Sequence, residues 1–576
     1  MSSFCKSGCG GQTPNTRANY CDGVHRLGLL LNDRNLVNKA DINTRYITNH
    51  LDSTGRFGTK LSDRWSRWPY ASFNRNFMVN YELTQDPAII KMLQKHYLTF
   101  TAKDFADDLE LANVEELCWL YGITKDKRLI EMAEEAYQLF KTNIEYRNRA
   151  GADMVFASDK APNHHGVVYL ELIKIPAILY SYTGKKEYLS EAVNGIKIME
   201  KYDLLVSGLP SSTEHFQGIS ELSGTETCNT ATFPYTYGYF LRITGDATLG
   251  DKIEKAVFNG GIGTITKDFK AHQYFSSPNQ VIATSTSNPY GHNPARMAFM
   301  PGHDVECCTG NVNRFMPYYV EQMWLSAPGG GLVAALFGPS TVQTKVGKSD
   351  SPLGISEETN YPFSETINFR FLTKDKISFP FYIRIPEWCV NPQILVNGIP
   401  VSAKLHPGTF YKLKRTFSTG DIITLKIPMA VRTSNWPGNG IAVERGPLVY
   451  SLAVDATKSV MKGYEKSTKE FPAWELYPVS DWNYALDAGG KMEVKKTEIT
   501  GYPWDEGNSP VKIEVQAKRI PGWELNRVYD EKWNLNVERT PAFPAQTTNN
   551  GPTENLELVP YGSTLLRLTV FPKLTK

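Results

Sequence analysis

The chain has 576 residues, 41% of them apolar and 21% charged, with a formal net charge of +2. That composition is an ordinary globular one, and the length predicts two to four domains rather than a single core. A charge so near balance excludes electrostatic capture of nucleic acid or an acidic membrane, and no run reaches the ~18–20 apolar residues of a membrane span.

The chain start, Met1-Ser2-Ser3-Phe4-Cys5, lacks a basic patch followed by an apolar stretch. As it stands the sequence reads as cytoplasmic, and as periplasmic or secreted if a signal peptide has been removed. Eight cysteines in so long a chain do not form a disulfide framework. Cys5, Cys9 and Cys21 leave open a bridge or an incidental metal site.

Residues 1–328 read as helical hairpins. Leu129, Met132, Ala133, Ala136, Leu139 and Phe140 fall on one stripe at helical spacing. A short signature recurs around Thr84-Gln85-Asp86, Thr124-Lys125-Asp126, Thr183-Gly184 and Thr244-Gly245-Asp246, with residue types that end one helix and start the next. Two connections are long, about 202–225 and 264–306. Tight turns on one rim and long loops on the other predict a closed (α/α)6 toroid of about ten to twelve helices, with function on the long-loop rim.

After Gly329-Gly330-Gly331 the pattern turns to period two. Ile367, Phe369 and Phe371 alternate with polar residues, and Asn397-Gly398 reads as a hairpin turn. The fold class is therefore α plus β and multidomain: a helical toroid over 1–328, a β-sandwich over 329–455, and a second β-rich region over 456–576.

Two segments carry chemistry, and both lie in the long loops: Thr225-Glu226-Thr227-Cys228 and Val305-Glu306-Cys307-Cys308-Thr309. Three thiols and a carboxylate suit a tetrahedral zinc ion. Helices are expected from Asn229 and from Asn311 onward, which would set both pairs at helix starts, where thiol pKa falls. Spacing alone leaves three readings open: buried free cysteines, a structural zinc, or a catalytic thiolate. No phosphate loop, Ser-His-Asp order or dinucleotide fingerprint is present.

Glu-Thr-Cys followed by Cys-Cys on a helical toroid resembles glycoside hydrolase family 127. Further motifs strengthen the resemblance: Asn360-Tyr361-Pro362-Phe363, Arg384-Ile385-Pro386-Glu387-Trp388-Cys389 and Glu444-Arg445-Gly446-Pro447. The resemblance implies zinc ligands Glu226, Cys228, Cys307 and Cys308, with Cys307 as nucleophile. It implies an acid/base glutamate in Thr213-Glu214-His215-Phe216, with Glu221 and Glu306 as rivals and Glu306 expected to point away. His165 is similar to a sugar-facing family histidine. His272 and Tyr274, on the second long loop, are taken as further substrate-binding residues, and His303 as a neighbour of the cysteine pair. The chain departs from the family type at Val305, where a further cysteine is usual, and at Thr309-Gly310, where Pro-Pro is usual.

The activity so implied is that of a retaining exo-glycosidase releasing a furanose, β-L-arabinofuranose first, from plant-type glycans, with zinc as cofactor. The expected partner is an oligosaccharide or glycan, with no nucleic acid and no membrane. Two other readings stand beside it. One is a glycosidase or lyase that works with carboxylates around a structural zinc. The other is a non-catalytic glycan-binding protein.

Overall fold

The computed structural model describes residues 14–56, 67–142, 156, 158–547 and 551–574, and the side chains from Asp22 onward. Cys5, Cys9 and the Cys21 side chain lie outside the described residues. Twelve α-helices are described in the first part. They are α1 (Pro14–Leu30), α2 (Arg34–Thr48), α3 (Trp68–Thr84), α4 (Pro87–Tyr97), α5 (Val114–Thr124) and α6 (Lys127–Thr142). After these come α7 (Gly166–Thr183), α8 (Lys186–Asp203), α9 (Asn229–Thr244), α10 (Thr248–Lys255), α11 (Cys307–Asn311) and α12 (Phe315–Glu321).

The odd-numbered helices pack in sequence, α1 on α3, α3 on α5, α5 on α7 and α7 on α9. Helix α9 then meets α12, and α11 and α12 both return to α1, so the ring closes. Helices α2, α4, α6, α8 and α10 lie outside it, each against its hairpin partner. Inner helix α7 is buried on all sides, from Val167 through Leu179, and mostly apolar, as expected of a helix enclosed by neighbours.

The tight rim is made by one device used four times. Thr84, Thr124, Thr183 and Thr244 each donate their hydroxyl to the carbonyl four residues back, at 2.7–2.8 Å. Each hydroxyl also accepts the backbone N–H two residues on. Between them Gln85, Lys125, Gly184 and Gly245 take the left-handed conformation that caps the helix. The recurring signature is thus a helix stop of fixed geometry.

On the opposite rim the long loops form a small sheet of β1 (Ser212–Thr213), β2 (His215–Phe216), β3 (Thr225–Glu226) and β4 (Phe275–Ser276), in the order β2-β1-β3-β4. Asp203, at the end of α8, anchors the loop leading into this sheet. Its backbone carbonyl accepts the Ser211 N–H at 2.5 Å, and its carboxylate accepts the Gly218 N–H at 2.9 Å. Burial pushes the Asp203 pKa up to about 7. An acid whose folded pKa is raised binds more protons folded than unfolded, so stability falls as pH rises from about 4 to 7. D203N keeps the acceptor and removes the charge. It is expected to be more stable than the parent above pH 7, by roughly 2–4 kcal/mol. The gap should close below about pH 4, as read by urea unfolding at both pH values.

The sandwich packs a six-stranded sheet from residues 340–426 against a four-stranded sheet from residues 324–417. Phe371, Phe381 and Phe417 fill the space between them. The Asn397-Gly398 turn has positive φ at both positions, 52° and 82°, as a two-residue hairpin turn requires. Buried Arg384 ties this unit to the toroid through Asp251 and Glu254 of α10. The last sheet draws on both sides of residue 455: Leu448–Ala453 pairs with Glu554–Pro560, which pairs with Val511–Arg519. That sheet also reaches Asn279–Gln280 of the toroid's second long loop.

Candidate active site

The long-loop rim encloses a cavity of about 500 Å3 lined by His165, Glu214, Glu226, Tyr274 and Cys307 among others. Each of these residues is placed by short-range backbone chemistry. Glu226 ends β3, and Cys228 is the residue before α9. A helix was expected from Asn311 onward. Instead α11 starts at Cys307 itself, stops at Asn311, and the chain resumes helix at Phe315. Adjacent cysteines can both face one point only from an irregular backbone, and this broken inner helix provides it.

Glu214 sits at the apex of the β1–β2 turn with φ of +74°. The Gly166 N–H donates to the Glu214 carbonyl at 2.8 Å, which ties the start of α7 to the turn. A Cβ at Gly166 would lie 2.3 Å from the Ser212 hydroxyl, so only glycine allows this approach. His165 is thereby set beside Glu214, with Nε2 3.0 Å from its carboxylate.

Glu226, Cys228, Cys307 and Cys308 bring one donor atom each within 4.8 Å of one another. The Cys228 and Cys308 sulfurs are 3.3 Å apart and all three thiols are free. Cys307 Sγ lies 3.6 Å from the Glu226 carboxylate, and Cys308 Sγ 3.7 Å. The other Glu226 oxygen is buried without a hydrogen-bond partner. A buried carboxylate with an orphaned oxygen among three thiols is a donor set suited to a thiophilic metal ion.

The thiols are not equivalent. Cys228 and Cys308 are buried, whereas Cys307 is part-exposed to the cavity. Hydrogen bonds from Cys228, Cys308 and Tyr274 draw the Cys307 pKa well below the usual thiol range, against the effect of burial. Burial pushes Cys228 and Cys308 well above it. The Tyr274 hydroxyl lies 3.1 Å from Cys307 Sγ and 2.9 Å from Glu214 Oε1. It therefore bridges the two groups, which can be no more than about 6 Å apart.

Glu214 also pairs with Arg296 at 2.6 Å. Burial alone would raise its pKa, but His165, Tyr274 and Arg296 outweigh burial and hold it below the usual carboxylate range. Burial lowers His165, yet the charges of Glu226 and Glu214 bring its pKa up to about 9.

The rival carboxylates face elsewhere. Glu221 accepts the Phe543 N–H at 3.5 Å, and Glu306 pairs with Lys466. His272 does not line the cavity, contrary to expectation. It is buried, with Nε2 3.1 Å from the Thr309 hydroxyl, because α11 covers the segment two residues before Tyr274. His303 lies beneath it, its ring 5.0 Å from that of His272.

Sequence reasoning missed Arg296, which holds Glu214 and Asp304 and lies 4.1 Å from the Tyr274 ring centroid. The one local signal is the Asn293-Pro294 start of its short helix, where the Asn293 side chain accepts the Ala295 N–H.

The fold and the cavity define the class: a closed helical toroid with β-sheet domains behind it and a thiol–carboxylate centre in its loop-rich rim. The chain belongs to glycoside hydrolase family 127. Residues 71–321 match the β-L-arabinofuranosidase GH127 catalytic domain, and residues 331–429 match the GH127 middle domain.

The chain is 27% identical over 242 residues to a non-reducing end β-L-arabinofuranosidase of Bifidobacterium longum subsp. longum, a match covering 39% of this chain and 35% of that protein. It thus spans about a third of the relative's length. Among solved structures, one described as a glycoside hydrolase aligns with TM-score 0.74 at 19% identity, over 97% of this chain and 92% of that one. A GH127 β-L-arabinofuranosidase from Geobacillus stearothermophilus T6 aligns with TM-score 0.68 at 17% identity, over 96% and 88%. These two likenesses concern the fold.

Proposed function

We propose that the protein is a retaining exo-glycosidase that releases β-L-arabinofuranose from the non-reducing ends of plant-type glycans, with Cys307 as nucleophile and Glu214 as acid/base. The observation that carries this reading is the Cys307–Tyr274–Glu214 bridge across the cavity. A thiol and a carboxylate no more than about 6 Å apart match the spacing of double displacement, about 5–5.5 Å, better than the wider gap that inversion needs.

Glu226, Cys228, Cys307 and Cys308 would hold zinc. The ion would supply positive charge that keeps the thiols deprotonated at neutral pH and fixes the loops that carry them. The buried pair, Cys228 and Cys308, serves as anchors, and part-exposed Cys307 has access to substrate. In the first step the Cys307 sulfur bonds to the anomeric carbon, and the bond to the leaving oxygen breaks. That oxygen takes a proton from the His165–Glu214 pair. The ionised Glu214 then accepts a proton from water. The water oxygen bonds to the anomeric carbon, and the sulfur leaves as thiolate. Two inversions return the starting configuration. Tyr274 orients both reacting groups, and His165 holds the regained proton until the next turnover.

The test is hydrolysis of an aryl β-L-arabinofuranoside with native, chelator-stripped and zinc-restored protein. Stripping is expected to lower turnover by at least about tenfold, and zinc should restore it. Full activity after complete metal removal would move the chemistry to carboxylates alone. Glycan binding with no turnover on any furanoside would make this a binding protein.

A further inference from the structure

The last β region touches the cysteine loop directly. Strand Trp474–Pro478 bonds to the toroid's second long loop. Trp474 exchanges backbone hydrogen bonds with Phe299, at 2.7 and 3.2 Å, and Leu476 with Ala283, at 2.8 and 3.1 Å. Ala298 and Met300 pack against Met461 and Ala473 in a small buried cluster. The turn between these contacts reaches over the residues just before Cys307. The Tyr464 hydroxyl donates to the Gly302 carbonyl, and Lys466 Nζ donates to the His303 carbonyl at 2.6 Å. Lys466 also pairs with the Glu306 carboxylate.

Glu306 is the residue from which α11 starts: its carbonyl accepts the Gly310 N–H at 3.1 Å. Its side chain is turned away from the cavity, opposite in sense to Cys307. Holding that side chain therefore fixes the rotation of the peptide that delivers both cysteine sulfurs. Gly302 makes room for the clamp, because a Cβ there would lie 3.0 Å from the Glu306 carboxylate and 3.3 Å from the Lys466 stem.

We infer that Lys466 is a positioning residue for the thiol centre: acting through Glu306 and the His303 carbonyl, it sets the orientation of Cys307 and Cys308. Residues 461–478 are then a working part of the site rather than an appended module. Partners that orient ligands from behind commonly influence metal affinity by about 10–100-fold when removed. The inference rests on the assignment of Cys307 and Cys308 as a metal-binding pair, so one arm of the test is independent of metal.

The first arm measures alkylation of Cys307 by iodoacetamide in the metal-stripped, full-length protein, read by peptide mass spectrometry. K466M is expected to alkylate several-fold faster than the parent, and K466R at nearly the parental rate. The second arm measures zinc affinity by competition with a chelating dye. K466M should bind at least about tenfold more weakly, with K466R restoring most of the loss. Lys466 is half-exposed but Glu306 is buried, so K466M is expected to stay folded and melt somewhat below the parent, and K466R to melt close to it. Equal alkylation rates in K466M and the parent would overturn the inference. So would failure of arginine to restore the parental rate. A parent that binds no zinc, with K466M still alkylating faster, would instead overturn the metal assignment and leave the positioning role standing.

Discussion

Replacement of Cys307 by serine is expected to lower kcat by at least about 10^3-fold while the fold and bound zinc persist. Serine differs by one atom, so the part-exposed site suffers no packing defect. Glu226, Cys228 and Cys308 remain as three buried donors, enough to retain an ion. What disappears is the low-pKa sulfur facing the cavity. A hydroxyl beside Tyr274 has no base strong enough to ionise it at neutral pH, because Glu214 already pairs with Arg296 and His165. The checks are steady-state kinetics, zinc content and melting of the same preparation. An electrophile carried at the anomeric carbon of arabinofuranose should label Cys307 and neither Cys228 nor Cys308, which are buried. Substantial turnover by the serine variant, or an inverted product anomer by NMR, would remove Cys307 as nucleophile.

Parts of the molecule governed by local chemistry were legible in the sequence. The four threonine signatures fix helix ends through bonds spanning at most four residues, so their residue types alone reveal the hairpins. The Asn397-Gly398 turn is equally local. Glu226, Cys228, Cys307 and Cys308 were visible as a donor set through residue type, and the toroid brings their donor atoms to one point.

Features that depend on how long loops lie against each other were not legible. Arg296 meets Glu214 across 82 residues of chain, and nothing about an arginine in a loop announces which carboxylate it will find. His272 and Tyr274 are two residues apart, yet α11 covers one and leaves the other in the cavity. Helix α11 itself was misplaced: it starts at Cys307, right after Glu306, whose partner Lys466 lies 160 residues away in the chain, a contact no local pattern announces. Charge inside the inner ring is similarly hidden from pattern reading. Arg75, Glu115, Glu171 and Lys174 lie on three different helices that read as core, and they neutralise one another only once the ring has closed.

Glu214→Gln should separate two leaving-group series. Glutamine keeps an oxygen that can accept the Tyr274 and Arg296 hydrogen bonds, Arg296 retains Asp304 as a partner, and charged His165 keeps the Glu226 carboxylate 3.7 Å away. The variant lacks the carboxylate that passes the pair's proton to the leaving oxygen. Aryl glycosides with poor leaving groups need that proton as the bond to oxygen breaks, and their kcat/KM is expected to fall by about 10^2–10^4-fold. Glycosides whose leaving group departs as a stable phenolate need no proton, and their first step should fall far less. For those substrates the second step becomes limiting, because the variant cannot take a proton from water. A burst of phenolate followed by slow turnover is therefore expected, and azide, which attacks without losing a proton, should speed turnover. A uniform loss across both series, with no burst and no azide effect, would mean that Glu214 only holds His165, Tyr274 and Arg296 in place. The proton would then have to come from His165, whose pKa near 9 leaves it charged at neutral pH and within 3.0 Å of the same carboxylate.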